Sequence, residues 1–487
     1  MSKIMLINPP FNTYDEKRGV ELTFPLGLGY LAAILRDAGY TDIDILDIVA
    51  EGSGHCRKYK DTRFFCFGLS PSDIERQVRA SSPDIVGITC SFTKRFANVI
   101  DVAAIVKQVN SKIKVIIGGS HPSAMPEDAV RQRDVDFVVI GEGEKSFLKL
   151  IDHLAAGKGR LEKIDGLAYK DNGGIRINEK REYIEDLDSI PFPLREIFPM
   201  DTYIRAKRNS VITSRGCPFR CSFCSIHCVW GRRWRARSAR NVVDEIEHLV
   251  NRYKVDFISF DDDNFAFDKQ RARDICQEMI DRRLDVLWNT PNGISIVGLD
   301  KRLLEKMKES GCYALNLAIE SGDPFILNKV MKKTTSLDQI RRVVRWCREL
   351  GILTLGYFVI GMPKETKESM RCSFEFAKEL MLDVVNVFIA TPYPGSQLYE
   401  ECIKKDYLAN RDLVSFTAFD AVIETPDLKA RDVQEFLHYF VDQYNRFHDS
   451  RSGIPSSVFK EAIRRPTREL LKSLGSGVYA KNHGVCR

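Results

Sequence analysis

No stretch of this 487-residue chain approaches the roughly 20 consecutive apolar residues that a membrane-spanning helix needs. The longest apolar run, near Ile352 to Met362, is about half that. The first residues, MSKIMLINPPFN, carry one lysine and a short apolar run before Asn8-Pro9-Pro10, too little for a secretory signal. Internal repeats and low-complexity segments are missing too, which excludes solenoid and fibrous architectures. Charge of one sign is scarce: 73 Lys and Arg against 67 Asp and Glu leave a net charge of +6. So small an excess suits anionic small-molecule ligands and does not indicate nucleic acid. These absences lead to the expectation of a cytoplasmic protein that does not enter the membrane.

What is present is an ordinary globular composition, 44% hydrophobic and 29% charged, in a chain too long for one core. Within residues 1–155, KIMLIN, DIDILD, DIVGITC, KVIIGG and DFVVIG are Ile/Val-rich runs separated by helix-length segments. Runs apolar on both faces predict a doubly wound parallel sheet. Ligands of such sheets lie at the carboxyl ends of the strands. The loops expected there are Asn8-Pro9-Pro10, Thr89-Cys90-Ser91, Gly118 to Pro122 and Gly141 to Glu144; their glycines admit a large flat or phosphorylated ligand. Residues 156–204 are charged and rich in turn signals and read as a linker, with a hairpin at Asn172-Gly173-Gly174. Over 205–400 a second β/α series gives six strands, SVITS, FISF, DVLWN, ALNLAIE, TLGYFVIG and VVNVFIA. These predict a partial (β/α)6 barrel of TIM type with its chemistry at the strand C-termini. Residues 401–487 read as mostly helical.

Four of the thirteen cysteines fall in SRGCPFRCSFCSIHC, residues 214–228, right after the first barrel strand. In a reducing compartment such a cluster points to metal rather than disulfides. Cys217, Cys221 and Cys224 are spaced C-x3-C-x2-C and bring three thiolates around one small volume. A [4Fe–4S] cluster ordinarily takes four, so three leave one iron open. Zinc closed by Cys228 or His227 is the competing reading. The loop's place at the head of the first strand favours an open, reactive site.

The stretch Cys217-Pro-Phe-Arg-Cys221-Ser-Phe-Cys224 resembles the motif of the radical S-adenosylmethionine (SAM) superfamily. The resemblance implies that the open iron chelates SAM, whose reductive cleavage gives a 5′-deoxyadenosyl radical. It further implies SAM contacts at Phe223, at Asp261, Asp262 and Asp263 in SFDDDNF, at Glu320 and Ser321 in LAIESGD, and at Gly361 in VIGMP. Cys228 is not needed by the motif and is expected to be a bystander.

FPLGLGYLAAILRDAGY, GGSHPSAMPEDAV and FVVIGEGEKSF resemble the cobalamin-binding domain that precedes the barrel in B12-dependent radical SAM enzymes of the methyltransferase type. Over AIESGDPFILNKVMKK the likeness is to phosphonate C-methylases of the fosfomycin-pathway kind. The resemblance implies cobalamin contacts at Pro10, Leu26, Gly27, Ser91, Gly118, Gly119, His121, Glu142 and Gly143. It also implies a reaction. One SAM methylates cobalamin; a second is cleaved at the cluster; the radical removes a substrate hydrogen; and methylcobalamin gives its methyl to the carbon radical. Flavodoxin or ferredoxin is the implied electron donor. Mutase-type carriers place a cobalt-ligating histidine after the first strand. Here that loop, NPPFNTYDEKRG, has none, so cobalt without a protein imidazole is expected. WGRRWRARSAR, residues 230–240, is a candidate holder of an anionic substrate through bidentate arginine or a solvated turn. Alternatives are a B12-dependent oxidative cyclase of the bacteriochlorophyll type and a tRNA methylthiotransferase-like enzyme. For the second, Cys56, Cys66 and Cys90 are too unevenly spaced to supply another cluster.

Overall fold

The computed structural model describes residues 2–14, 22–60 and 62–478. Five of the Ile/Val-rich runs form parallel strands in the order Phe137–Val139, Lys114–Gly118, Ile85–Thr89, Ile4–Asn8, Ile43–Asp47. Both faces of this sheet are covered. Helices Leu26–Asp37 and Gly143–Ala156 close one side, and Pro71–Ser81 and Phe96–Val109 the other. That double burial is why the strands carry no polar alternation. The chain winds outward in both directions from the pair Ile4–Asn8 and Ile85–Thr89, so the sheet's crevice opens at their carboxyl ends.

The segment 156–204 is more structured than a linker. Leu167–Asp171 and Gly174–Asn178 form a hairpin that adds two antiparallel strands to the sheet. Asn172 and Gly173, at φ 48° and 81°, supply the left-handed turn a two-residue hairpin requires. Further on, Tyr203 is buried and its hydroxyl donates to Asp47. A three-stranded antiparallel sheet, Phe11–Thr13, Phe65–Phe67 and Cys56–Lys58, also stands outside the expected pattern. Its strands are too short for periodicity to register.

The second half is a six-stranded arc. Ser210–Val211, Phe257–Phe260 and Leu287–Asn289 make one parallel sheet, and Ala314–Glu320, Leu353–Ile360 and Val384–Ile389 another. Bridges Trp288 to Cys312 and Ile294 to Leu317 join them. Side chains alternate between two environments. Ile258, Phe260, Trp288, Leu315, Leu317 and Phe358 pack outward against the helices. Phe257, Leu353, Leu355 and Val384 point inward and meet Phe459 and Ile463 of the C-terminal helix Ser456–Arg464, which closes one end of the barrel. Helices Ala430–Ser452 and Arg468–Val478 complete that region. Among the described residues, no helix is long and apolar enough to cross a membrane, and no disulfide joins the cysteines.

Candidate active site

At Gly216 the chain leaves the barrel with φ 84°; a Cβ there would lie 2.5 Å from the Arg233 carbonyl oxygen. Only glycine makes this turn, and it swings the next residues into a loop. Cys217, Cys221 and Cys224 line one cleft together with Phe219, His227 and Arg232. Burial pushes all three thiols up, Cys224 to about 12. They ionise when a metal displaces their protons. Among the described residues, no three His, Cys, Asp or Glu side chains converge as a single-ion site. The donor set fits a cluster held by three thiolates. Asn264 supports this: its Nδ2 donates to Cys217 Sγ at 3.7 Å while its buried Oδ1 has no partner.

The acidic trio divides. Asp262 is saturated, accepting from Thr213 N at 3.1 Å, Thr213 Oγ1 at 2.8 Å and Ser214 Oγ at 2.5 Å. It fastens the strand before the cysteine loop, and its oxygens are already engaged where a SAM contact was expected. Burial raises Asp261 to about 6 and Asp263 to about 7. Asp263 accepts from Gly216 N at 3.3 Å, beside the cysteine loop. Ser321 is engaged as well: it is 0% exposed, its Oγ lies 3.2 Å from Ser373 Oγ, and it accepts from Asp323 N. Glu320, at φ 69°, pairs with Lys333 Nζ at 2.8 Å. The Lys333 ammonium also lies 5.9 Å from the Phe223 ring, which brings Phe223, Glu320 and the cysteine loop together. Gly361, at φ 84°, begins a turn that Glu365 fixes. Glu365 Oε2 accepts from Gly361 N at 2.7 Å and Met362 N at 3.0 Å, while Oε1 is buried without a partner.

On the doubly wound sheet the Cys90 and Gly118 loops are zipped together. Cys90 N donates to the Gly118 carbonyl at 2.7 Å and His121 N to the Cys90 carbonyl at 3.3 Å. A Cβ at Gly119, φ 117°, would sit 2.6 Å from the Cys90 carbonyl oxygen, so this glycine serves loop-on-loop packing. His121 is 2% exposed and held neutral by burial, with its pKa lowered to about 4. Its Nδ1 meets Thr93 Oγ1 at 3.3 Å, but Nε2 has no partner. Nearby, Arg95 Nε, Asn12 Nδ2 and Asn98 Oδ1 are buried and unpaired as well. Buried polar groups are seldom left so, and their concentration along this edge fits a large ligand with many amide groups, as cobalamin is. Ser91 and Gly27 are exposed, and Gly118 and Gly143 half-buried. Pro10 is buried beneath Gly68, and Leu26 is half-buried against the cluster of Tyr30 and Ile190.

Glu142, an expected cobalamin contact, is engaged inside the protein. It is 2% exposed, and its oxygens accept from Arg215 Nη1 at 3.1 Å, Arg235 Nη1 at 2.8 Å and Ile184 N at 2.9 Å. Arg215 also reaches Glu144 at 2.5 Å and lies over the rings of Trp230 and Tyr30. The sheet is thereby tied to the residue two before Cys217. Arg237 bonds Glu245, which Arg195 shares at 2.8 Å. Two arginines of the basic 230–240 stretch are therefore buried ion-pair partners, not free holders of an anionic substrate. Trp234 donates to the Asn264 carbonyl at 3.1 Å. Arg215, Asn264, Lys333 and Glu365 carry no role in the sequence reading, and Glu144 enters it only as the end of the Gly141 to Glu144 loop. Only the position of Arg215 just before Gly216-Cys217 offered a signal.

Comparison with known proteins agrees with this two-part site. Residues 20–151 match the B12 binding domain and residues 211–377 the radical SAM superfamily. An uncharacterized methyltransferase of Pyrococcus horikoshii is 34% identical over 477 residues, covering 96% of this chain and 98% of the relative. The cytidylyl-2-hydroxyethylphosphonate methyltransferase of Streptomyces wedmorensis is 30% identical over 488 residues, covering 92% and 90%. In fold, the cobalamin-dependent SAM radical enzyme OxsB superposes with a TM-score of 0.73 at 15% identity, over 98% of this chain and 75% of that one.

Proposed function

We propose, for a chain that belongs to the cobalamin-dependent radical SAM methyltransferase family, methyl transfer to an unactivated carbon of a small molecule. Its cofactors are a [4Fe–4S] cluster, SAM and cobalamin. When bound, these groups supply radical generation and a methyl donor. The chain's own residues bind, align and exclude water. Cys217, Cys221 and Cys224 would hold the cluster. Asp263, the member of the acidic trio beside the cysteine loop, is placed for an ammonium group. The Gly361 turn, held by Glu365, would support the adenine. Arg95 Nε would donate to the cobalamin amides, and His121 Nε2 would donate to or accept from them according to its tautomer.

One observation carries the reading: three loops meet at a single point. Helix His227–Trp230 continues the cysteine loop, and Gly395, beyond the last strand, has Cys228 Sγ 2.4 Å and Ala124 Cβ 3.4 Å from where its Cβ would be. Ala124 ends the helix that starts just after Gly119. The proposed cluster and cobalamin loops thus share one wall, the arrangement that transfer between two cofactors requires. Cys228 is part of that wall. Electrons would come from a flavodoxin or ferredoxin. The test is product counting after anaerobic reconstitution with iron, sulfide and cobalamin. One S-adenosylhomocysteine and one 5′-deoxyadenosine per methylated product are expected; a different ratio with a ring-closed or desaturated product would establish the cyclase alternative.

A further inference from the structure

Inside the barrel, two carboxamides are locked the same way. Tyr357 Oη donates to the Pro291 carbonyl at 2.6 Å and accepts from Asn316 Nδ2 at 2.6 Å. Asn316 Nδ2 also reaches the Pro291 carbonyl at 3.2 Å. A carbonyl only accepts, so the amide cannot be turned round, and its oxygen is the atom left over. Likewise Tyr313 Oη donates to the Ile463 carbonyl at 2.7 Å and accepts from Asn289 Nδ2 at 3.1 Å. Asn289 Oδ1 and Asn316 Oδ1 are buried with no partner, and each residue is 4% exposed.

Both residues face the barrel interior. Trp288 before Asn289, and Leu315 and Leu317 on either side of Asn316, pack into the outer core, so strand alternation sends the asparagines inward. Ala318, Tyr357, Asn386 and Phe388, inward by the same alternation, are half-buried. Above the plug that Phe459 and Ile463 form, the interior is therefore a partly open chamber. Its aromatic wall is Tyr357, Phe388 and Phe419, with ring centroids 5.2 and 5.7 Å apart. None of the four strands Leu287–Asn289, Ala314–Glu320, Leu353–Ile360 and Val384–Ile389 contains Lys, Arg or His. Arg208, before the first strand, is a cation whose charge reaches Tyr313 and, with Arg195, Asp261.

We infer that this chamber is the substrate site of the methyltransfer proposed above, and that it selects an uncharged molecule with hydroxyl or N–H donors and an apolar face. Two unpaired acceptors complement donors and repel a carboxylate or phosphonate, while the aromatic wall takes the apolar face. The inference rests on the methyltransferase reading but is tested apart from it, by equilibrium binding to the reconstituted protein. The probes are 4-hydroxybenzyl alcohol and phenylphosphonate, which share a ring and differ in donor against anion. The alcohol is expected to bind and the phosphonate not. Asn316→Leu is expected to weaken the alcohol about tenfold. On the ligand side, 4-methoxybenzyl methyl ether keeps the ring and has no donor, should bind about tenfold more weakly than the alcohol, and decides the matter if the leucine variant does not fold. Phenylphosphonate or the ether binding as tightly as the alcohol, binding of none of them, or alcohol binding unchanged in a folded Asn316→Leu variant would each overturn the inference. Product counting with the wild-type enzyme stands or falls independently of these outcomes.

Discussion

At the residue scale, three thiols would divide the work of holding the proposed cluster, so removing any one leaves the set incomplete. Cys221→Ala should lose the iron–sulfur absorbance after reconstitution and with it all 5′-deoxyadenosine formation. Cys228→Ala should keep both, because that thiol packs against Gly395; loss of the cluster in Cys228→Ala would mean a fourth ligand. Glu365 gives a pH signature. Burial raises its carboxyl from 4.5 to about 8, so the folded state holds a proton that the unfolded state has released. Stability attributable to this residue is then full below about pH 4.5 and declines as pH rises through about 8. Glu365→Gln should flatten that decline relative to wild type in denaturant titrations across the window; parallel curves would show the carboxyl ionised in the fold. Cobalt offers a third check. The reduced Co(II) protein should show no nitrogen superhyperfine coupling from a protein imidazole, since the described part of the first-strand loop, 8–14, has no histidine. Coupling, if seen, would point to His121, whose Nε2 is unpaired.

At the scale of elements, a buried ion-pair group binds the doubly wound sheet to the cysteine loop. Glu142 lies at the start of helix Gly143–Ala156, while Arg215 and Arg235 face each other across the short antiparallel pair flanking the loop. Breaking a buried pair by removing one partner typically costs about 3–5 kcal/mol, because the other charge is stranded. Glu142→Ala strands the Arg235 guanidinium, while Arg215 keeps Glu144, and should fall in that range by urea denaturation of the cobalamin-free protein. A Glu142 in contact with cobalamin would instead show its loss only with the cofactor bound. The hairpin of Leu167–Asn178 belongs to the same scale. Its turn was legible in Asn172-Gly173, but its docking onto strand Phe137–Val139 was not, because sheet-edge pairing is a choice between distant segments.

At the scale of the whole molecule, the two halves must face each other for one methylation to use two SAM-derived events. The meeting of Ala124, Cys228 and Gly395 brings together loops more than 100 residues apart. Equal yields of S-adenosylhomocysteine and 5′-deoxyadenosine are the expected consequence, measured by chromatography over several turnovers. The barrel's other end is shut by helix Ser456–Arg464, whose Phe459 is wholly buried. Phe459→Ala should destabilise the fold by about 3–5 kcal/mol without altering the product ratio.

The sequence by itself determined the alternation of strands and helices, the two-part architecture, the C-x3-C-x2-C spacing of the proposed cluster thiols and the glycines at their turns. Each is written in residues near one another, where periodicity and spacing act directly. Tertiary structure alone decided which polar groups are already satisfied. Glu142 was taken by arginines 73 and 93 residues away, Asp262 by Thr213 and Ser214, and the basic stretch by buried glutamates. It also decided which groups are left over, such as Asn316 Oδ1 and His121 Nε2. A hydrogen bond is made or withheld by whatever the fold brings within about 3 Å, and no local pattern encodes that distance.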